Sequence, residues 1–301
     1  LSSLRDEPFA GYASRLALPS LNSTATFEEI TTCGSAMDGN PCTVVDHPPT
    51  AARSRGEKVA FVTGGSRRIG AEICRHLAVS GFSVIVHAHC SIVECEDVVG
   101  EINRSGGRAE MVVGDLSDHD GRDAVIAEVI ATEIFSGCGG LDLLVNSASL
   151  FSDGKTLDPP AKAIARETMF ALHVEAPRHL AATFSESLAE RNGCIINIID
   201  ALLERPGEGY ADYSSSKRAM AELTIEQALE YAPGLRVNGI GPGAILASRA
   251  ERGLESQIAE LVPLKRWGEP IDVASTVLFL AESNYLTGQI INVDGGLSLN
   301  R

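Results

Sequence analysis

Tyr213 and Lys217 stand four residues apart where a helical pattern begins, in Tyr213-Ser214-Ser215-Ser216-Lys217. On a helix that spacing puts both side chains on one face. An ammonium beside a phenol lowers the phenol pKa, so the pair is expected to form a general acid closer to neutrality than free tyrosine at about 10. Ahead of it, Asp200 ends the apolar run Asn197-Ile198-Ile199. A third group, Thr63-Gly64-Gly65-Ser66-Arg67-Arg68-Ile69-Gly70, links an apolar run to a helical pattern. Glycines at such a turn let the backbone approach a pyrophosphate, which then sits on the helix N-terminus.

These groups need a scaffold that brings strand ends together. Short Val- and Ile-rich runs fall at 58–63, 83–89, 109–114, 141–146, 194–199, 236–240 and 290–293. Near-continuous apolar runs suit strands buried on both faces of a parallel sheet. Between them lie helical patterns, among them 68–80, 120–135, 161–190, 213–231 and 271–283. The alternation predicts an α/β fold, a Rossmann-like doubly wound parallel sheet forming one domain over 58–301. Residues 1–57 are rich in Ser, Thr and Pro and show no sustained apolar period, so they are expected to be a disordered or loosely packed extension.

Composition narrows the function classes. The 301 residues carry 25 Lys+Arg against 40 Asp+Glu, a formal charge of −15. Nucleic-acid binding needs a basic face, so it is not expected. No run reaches the roughly 18–20 apolar residues that span a bilayer. The seven cysteines form no C-x-x-C pair, so neither a metal site nor a disulfide framework is expected. A reducing compartment follows. The absence of an apolar signal core, with acids at Asp6, Glu7, Glu28 and Glu29, favours the cytoplasm.

The dinucleotide can be read from the end of the second run, His87-Ala88-His89-Cys90-Ser91, where no acid occurs before Glu94. An acid there would hold a ribose 2′-hydroxyl. Its absence, with Arg67 nearby, favours a 2′-phosphate and therefore NADPH. Asp115, in Gly114-Asp115-Leu116-Ser117, ends the third run and is placed to accept from an adenine amino group. Asn146-Ser147-Ala148-Ser149 ends the fourth with small residues, which lets a cofactor lie across the strand ends.

In order and spacing, these motifs resemble the short-chain dehydrogenase/reductase family. The resemblance covers residues 58–301 and includes Gly241-Pro242-Gly243 and the ending Leu286-Thr287-Gly288…Val293-Asp294-Gly295-Gly296. Three positions depart from the family's usual pattern. Arg68 replaces a glycine, Asp200 replaces the catalytic serine, and His173 replaces an asparagine. The Arg-Arg turn, the His-x-His strand end and the Asp before Tyr-x-x-x-Lys are similar to the pteridine and dihydromonapterin reductases. That resemblance implies cofactor contacts from Gly64, Arg67, Ile69, His87, Ser91, Asp115, Leu116, Asn146, Ser147, Ala148, Tyr213, Lys217 and Gly243. It implies catalysis by Asp200, Tyr213 and Lys217, and substrate contacts from Ser149, Phe151, Asp200, Tyr213 and Arg301. Phe151 would stack on a pterin ring, and Arg301 would reach the active site of a neighbour in a homotetramer. Desolvation under the bound ring would make Asp200 a proton donor beside Tyr213.

The implied activity is NADPH-dependent reduction of a pterin, dihydropterin or dihydrofolate-type small molecule. Reduction of another carbonyl, such as a 3-oxoacyl or quinone substrate, stands as the alternative, and a non-catalytic NADP-binding sensor as a further one. Each singled-out residue also has a purely structural reading. Phe151 could be a core aromatic, Asp200 a loop cap, His173 a packed histidine, Arg68 a surface ion-pair partner, Cys90 a packed thiol and Arg301 a frayed terminal charge.

Overall fold

A computed structural model describes residues 57–151, 158–203, 210–247 and 253–300. The expected N-terminal extension and Arg301 lie outside the described residues. Seven strands form one parallel sheet in the order β3-β2-β1-β4-β5-β6-β7. They are β1 (Lys58–Thr63), β2 (Phe82–Ala88), β3 (Arg108–Val113), β4 (Leu143–Asn146), β5 (Cys194–Ile198), β6 (Arg236–Pro242) and β7 (Ile290–Val293). The strand order reverses between β1 and β4, which makes the crevice beyond their carboxyl ends the natural ligand site.

Alternation along each strand builds two cores. Ala60 and Val62 of β1 face one core; Val59 and Phe61 face the other. On the first face pack α1 (Arg68–Val79), α2 (Ile92–Arg104) and the late helix α9 (Pro270–Glu282). On the second pack α3 (His119–Ala131), the short α4 (Glu133–Cys138) and α6 (Ala176–Glu190). Phe61 is fully buried, edge-on to Phe184 at 6.2 Å. Each such side chain contributes about 1.5–3 kcal/mol by leaving water. The remaining helices are α5 (Pro159–Phe170), α7 (Ala211–Glu230) and α8 (Glu255–Leu261).

The long helical pattern at 161–190 is not one uniform helix. A π-helical turn, Ala171–Glu175, separates α5 from α6. Pro177 has no N–H to give the His173 carbonyl four residues back, so the regular ladder cannot run through this point. The Ala176 N–H bonds the Ala171 carbonyl, five residues back. Such bulges re-aim side chains and often mark functional sites. Here the bulge carries His173.

Two glycines test the packing at the switch point. A methyl group on Gly70 would enter the van der Waals space of the Gly64 carbonyl. Gly100, inside α2, has nothing closer than the Arg104 guanidinium at 4.0 Å. Gly70→Ala is expected to cost roughly 3 kcal/mol or more. Gly100→Ala should gain about 0.5–1 kcal/mol from helix propensity. Urea denaturation of both variants checks the contrast.

Candidate active site

The cofactor turn is built by close approach. Gly64 has φ +64°, and a Cβ there would lie 2.8 Å from the Ala148 Cα. The Thr63 hydroxyl accepts from the Ser147 and Ala148 amides at 2.9 and 3.0 Å, tying β1 to the end of β4. The turn then enters α1, whose first turn has no side-chain cap and no acid. Uncapped amides at a helix N-terminus fit a pyrophosphate. The residues present therefore suit a dinucleotide.

His87 has a different place from the one expected. It is 2% exposed. Its Nδ1 accepts from the Gly64 amide at 3.2 Å, and Nε2 lies 3.0 Å from the Gly114 carbonyl, to which it donates. With both nitrogens used, the ring has no donor left for a phosphate. It holds the glycine turn from beneath. Burial lowers its pKa to about 4, against the opposing effect of the Gly114 bond. Arg67, by contrast, is largely exposed and lies 3.7 Å from Glu94. An exposed pair of this kind is worth little, so the guanidinium is free to turn to a phosphate at small cost. Ser91 precedes α2 and makes no capping bond to it. Cys90 is exposed rather than packed.

Arg68 shows what the missing glycine entails. Its φ is +55°, a left-handed conformation that costs a non-glycine residue about 1–2 kcal/mol. Its guanidinium donates to the Leu246 carbonyl at 3.0 Å, tying the glycine turn to the segment after β6. It forms a bond to main chain, not the surface ion pair that its type suggests. Ile69 packs against the first core, and Leu116 is 1% exposed. Asp115 accepts from the Ser117 amide at 2.8 Å and lies 3.8 Å from His89 Nε2. The Gly243 amide donates to the Val293 carbonyl at 3.0 Å.

A buried polar column stands behind the site. The Asn146 side chain donates to Asn197 Oδ1 at 2.8 Å, and Asn197 donates to the Thr224 hydroxyl at 2.9 Å. Asn146 Oδ1 is buried with no partner. Lys217 is 2% exposed, and its Nζ donates to the Ile198 carbonyl at 2.8 Å. Burial lowers its pKa to about 8, with Asp200 opposing.

In front of this column, Tyr213 donates its hydroxyl to Asp200 Oδ2 at 3.3 Å. Asp200 Oδ1 accepts from the Leu202 amide at 2.7 Å. In the protein alone, burial and the facing carboxylate act against the lowering of the phenol pKa expected from Lys217. Burial pushes the Tyr213 phenol well above 10, and the Asp200 carboxylate adds to the shift. The phenol keeps its proton because the group it faces is an acceptor. Phe151 lies edge-on to Tyr213 at 4.9 Å between centroids and stacks on Tyr210 at 5.0 Å. It is half exposed, which leaves one aromatic surface open at the site.

The sequence reading did not foresee how His173 connects the site. The ring is fully buried, 2.8 Å from the Ser149 hydroxyl through Nε2 and 2.8 Å from the Ser216 hydroxyl through Nδ1. The signal available was Pro177, four residues after a histidine inside a helical pattern.

Fold and site together have clear relatives. Residues 64–298 match the family profile described as enoyl-(acyl carrier protein) reductase. The chain is 32% identical over 247 residues to the 3-oxoacyl-[acyl-carrier-protein] reductase FabG of Staphylococcus epidermidis, covering 80% of this chain and 98% of the relative. It is 34% identical over 245 residues to a 3-oxoacyl-[acyl-carrier-protein] reductase of Synechocystis sp., covering 80% and 96%. It is also similar to the crystal structure of FolM alternative dihydrofolate reductase 1 from Brucella suis in complex with NADP. There the TM-score is 0.71 and the identity 34%, over 81% of this chain and 96% of that one.

The buried His87 yields a stability prediction. Its folded pKa of about 4 lies below the unfolded value of 6.5, so the unfolded chain binds the proton first. Stability from this group is complete above pH 6.5 and is lost as pH falls toward 4. The full span corresponds to about 3 kcal/mol. Urea titrations across that window should show the decline, and His87→Gln should flatten it while lowering stability at pH 8. Taken with the sheet, the glycine turn and the Tyr213–Lys217 pair, these matches make the chain an NAD(P)-dependent oxidoreductase that belongs to the short-chain dehydrogenase/reductase family.

Proposed function

We propose that this protein is an NADPH-dependent reductase of pterin, dihydropterin or dihydrofolate-type substrates. The observation that carries the reading is the Asp200 carboxylate bonded to the Tyr213 hydroxyl. A carboxylate at this point repels the oxyanion that forms when a carbonyl is reduced. It suits a ring that brings N–H donors and takes a proton on nitrogen. The similarity to an alternative dihydrofolate reductase supports the same substrate class.

When bound, NADPH supplies the hydride. The chain's own groups do the rest. The glycine turn and the α1 N-terminus bind the pyrophosphate, and Arg67 with Ser91 meets the 2′-phosphate. His87 holds the turn in place. Asn146, Ser147 and Ala148 floor the crevice, and Lys217 and Tyr213 reach the nicotinamide ribose. Phe151 offers the substrate ring an aromatic face. Tyr213 gives the proton to the ring nitrogen, and Asp200 orients the hydroxyl and accepts a substrate N–H.

A homotetramer fits the apolar side chains left exposed on the long helices, Ile164 on α5 and Ile225 and Leu229 on α7. In that assembly Arg301 would reach a neighbouring site. Sedimentation of the full chain tests it.

The decisive assay follows NADPH absorbance with dihydrobiopterin, dihydrofolate and a 3-oxoacyl thioester. Turnover of the first two and not the third is expected. The 3-oxoacyl reductase relatives make the reverse outcome a real alternative, and it would overturn the reading. Asp200→Asn keeps one acceptor oxygen but removes the charge that orients the Tyr213 hydroxyl, so it should lower kcat with little change in NADPH affinity, whereas Asp200→Leu, which removes the acceptor, should lower it further. Arg67→Ala should weaken NADPH binding and leave NADH binding nearly unchanged.

A further inference from the structure

The proton positions along Ser149, His173 and Ser216 follow from single-proton bookkeeping. The Ser216 hydroxyl lies 2.7 Å from the Tyr213 carbonyl, a group that can only accept. Its one proton is spent there. At Nδ1 of His173, 2.8 Å away, Ser216 must therefore accept, so Nδ1 carries the ring hydrogen. The reverse arrangement would set two oxygen lone pairs against each other at 2.7 Å. The ring is fully buried, and burial together with the Lys217 ammonium holds its pKa well below 6.5. It is neutral, and Nε2 has only a lone pair. The Ser149 hydroxyl, 2.8 Å from Nε2, must then donate to it.

We infer that His173 is a positioning residue that sets the polarity of Ser149. The Ser149 proton is turned inward to the imidazole, and its free lone pairs face the substrate. Ser149 is exposed at the mouth of the site. A serine hydroxyl free to rotate would serve donors and acceptors alike. This one is an acceptor only. Asp200 lies on the other side of Tyr213 and also accepts. The substrate pocket thus carries two acceptors and selects a flat ring bearing N–H donors over one whose edge offers only lone pairs. Where the substrate sits rests on the reductase reading above. The proton order does not.

Two measurements separate these parts. With ¹⁵N-histidine in the full chain, long-range ¹H–¹⁵N spectra at pH 7.5 should show His173 as the Nδ1–H tautomer. Ser216→Ala removes the acceptor that fixes this order without touching the substrate pocket, and should shift weight to Nε2–H. The second measurement is the Kd of 2,4-diaminoquinazoline and of quinazoline on the NADP-loaded protein. The first ring adds two amino donors and a more basic ring nitrogen, so the informative quantity is the change in the ratio between variants rather than the ratio itself. The diamino ring should bind more tightly, and Ser149→Ala should shrink the ratio about tenfold, the effect of one hydrogen bond of roughly 1.4 kcal/mol. Ser216→Ala should shrink it in the same direction. An Nε2–H tautomer in the unaltered protein overturns the proposal whichever ring binds. A ratio unchanged in Ser149→Ala overturns the selectivity. Nδ1–H with neither ring bound would uphold the polarity of Ser149 and overturn the substrate reading instead.

Discussion

Gly64, just past the end of β1, lies so close to the end of β4 that it has no room for a Cβ, and the rest of the site depends on that approach. The Cβ that Gly64 lacks would meet the Ala148 backbone at 2.8 Å. The Thr63 hydroxyl closes the same gap by accepting two amides from the β4 end. On the opposite side, the Gly64 amide donates to His87. The turn is thus gripped from β4 above and from β2 below. A loop held at both sides loses little freedom when a ligand arrives, so less binding energy is spent on ordering it.

The second constraint is a set of buried polar ties between β5 and α7. Asn197 bonds Thr224, and Lys217 bonds the Ile198 carbonyl. Burying such groups is costly unless each finds a partner. Here the partners fix the height of α7 against the sheet. Asp200 lies just past the end of β5, and Tyr213 lies in the first turn of α7. The same ties that satisfy the buried atoms therefore set the 3.3 Å contact between them. The orphaned Asn146 Oδ1 sits at the head of this column, where the β4 end meets the crevice.

Much of this was legible in the sequence, because strand burial and glycine turns leave local marks. The seven apolar runs, the turn after β1 and the Tyr-Lys spacing all report short-range rules. What was not legible depends on tertiary neighbours. Tyr213 and Lys217 suggested a lowered phenol pKa, yet burial and the facing carboxylate of Asp200 drive it the other way. His87 looked like a ligand at a strand end, but the fold uses both its nitrogens. Arg68 could not reveal from its type that it would adopt a left-handed backbone and reach Leu246. The π-turn at His173 was half visible, since Pro177 announces the break but not where the ring would point.

The shifts on Tyr213 and Lys217 express one cause acting on two kinds of group. Burial disfavours charge, so it raises the phenol and lowers the ammonium. A phenol held well above 10 does not lose its proton to solvent at neutral pH. It yields the proton only to a base stronger than water, such as the atom that takes the electron pair when a substrate double bond gains a hydride. Proton release is thereby tied to reduction, and an idle site stays loaded. The Asp200 carboxylate reinforces this, because it strengthens the hold on the proton until a more basic atom competes. A lowered phenol pKa would make a faster donor at rest but a leakier one. The contact with the Asp200 carboxylate favours the slower loss.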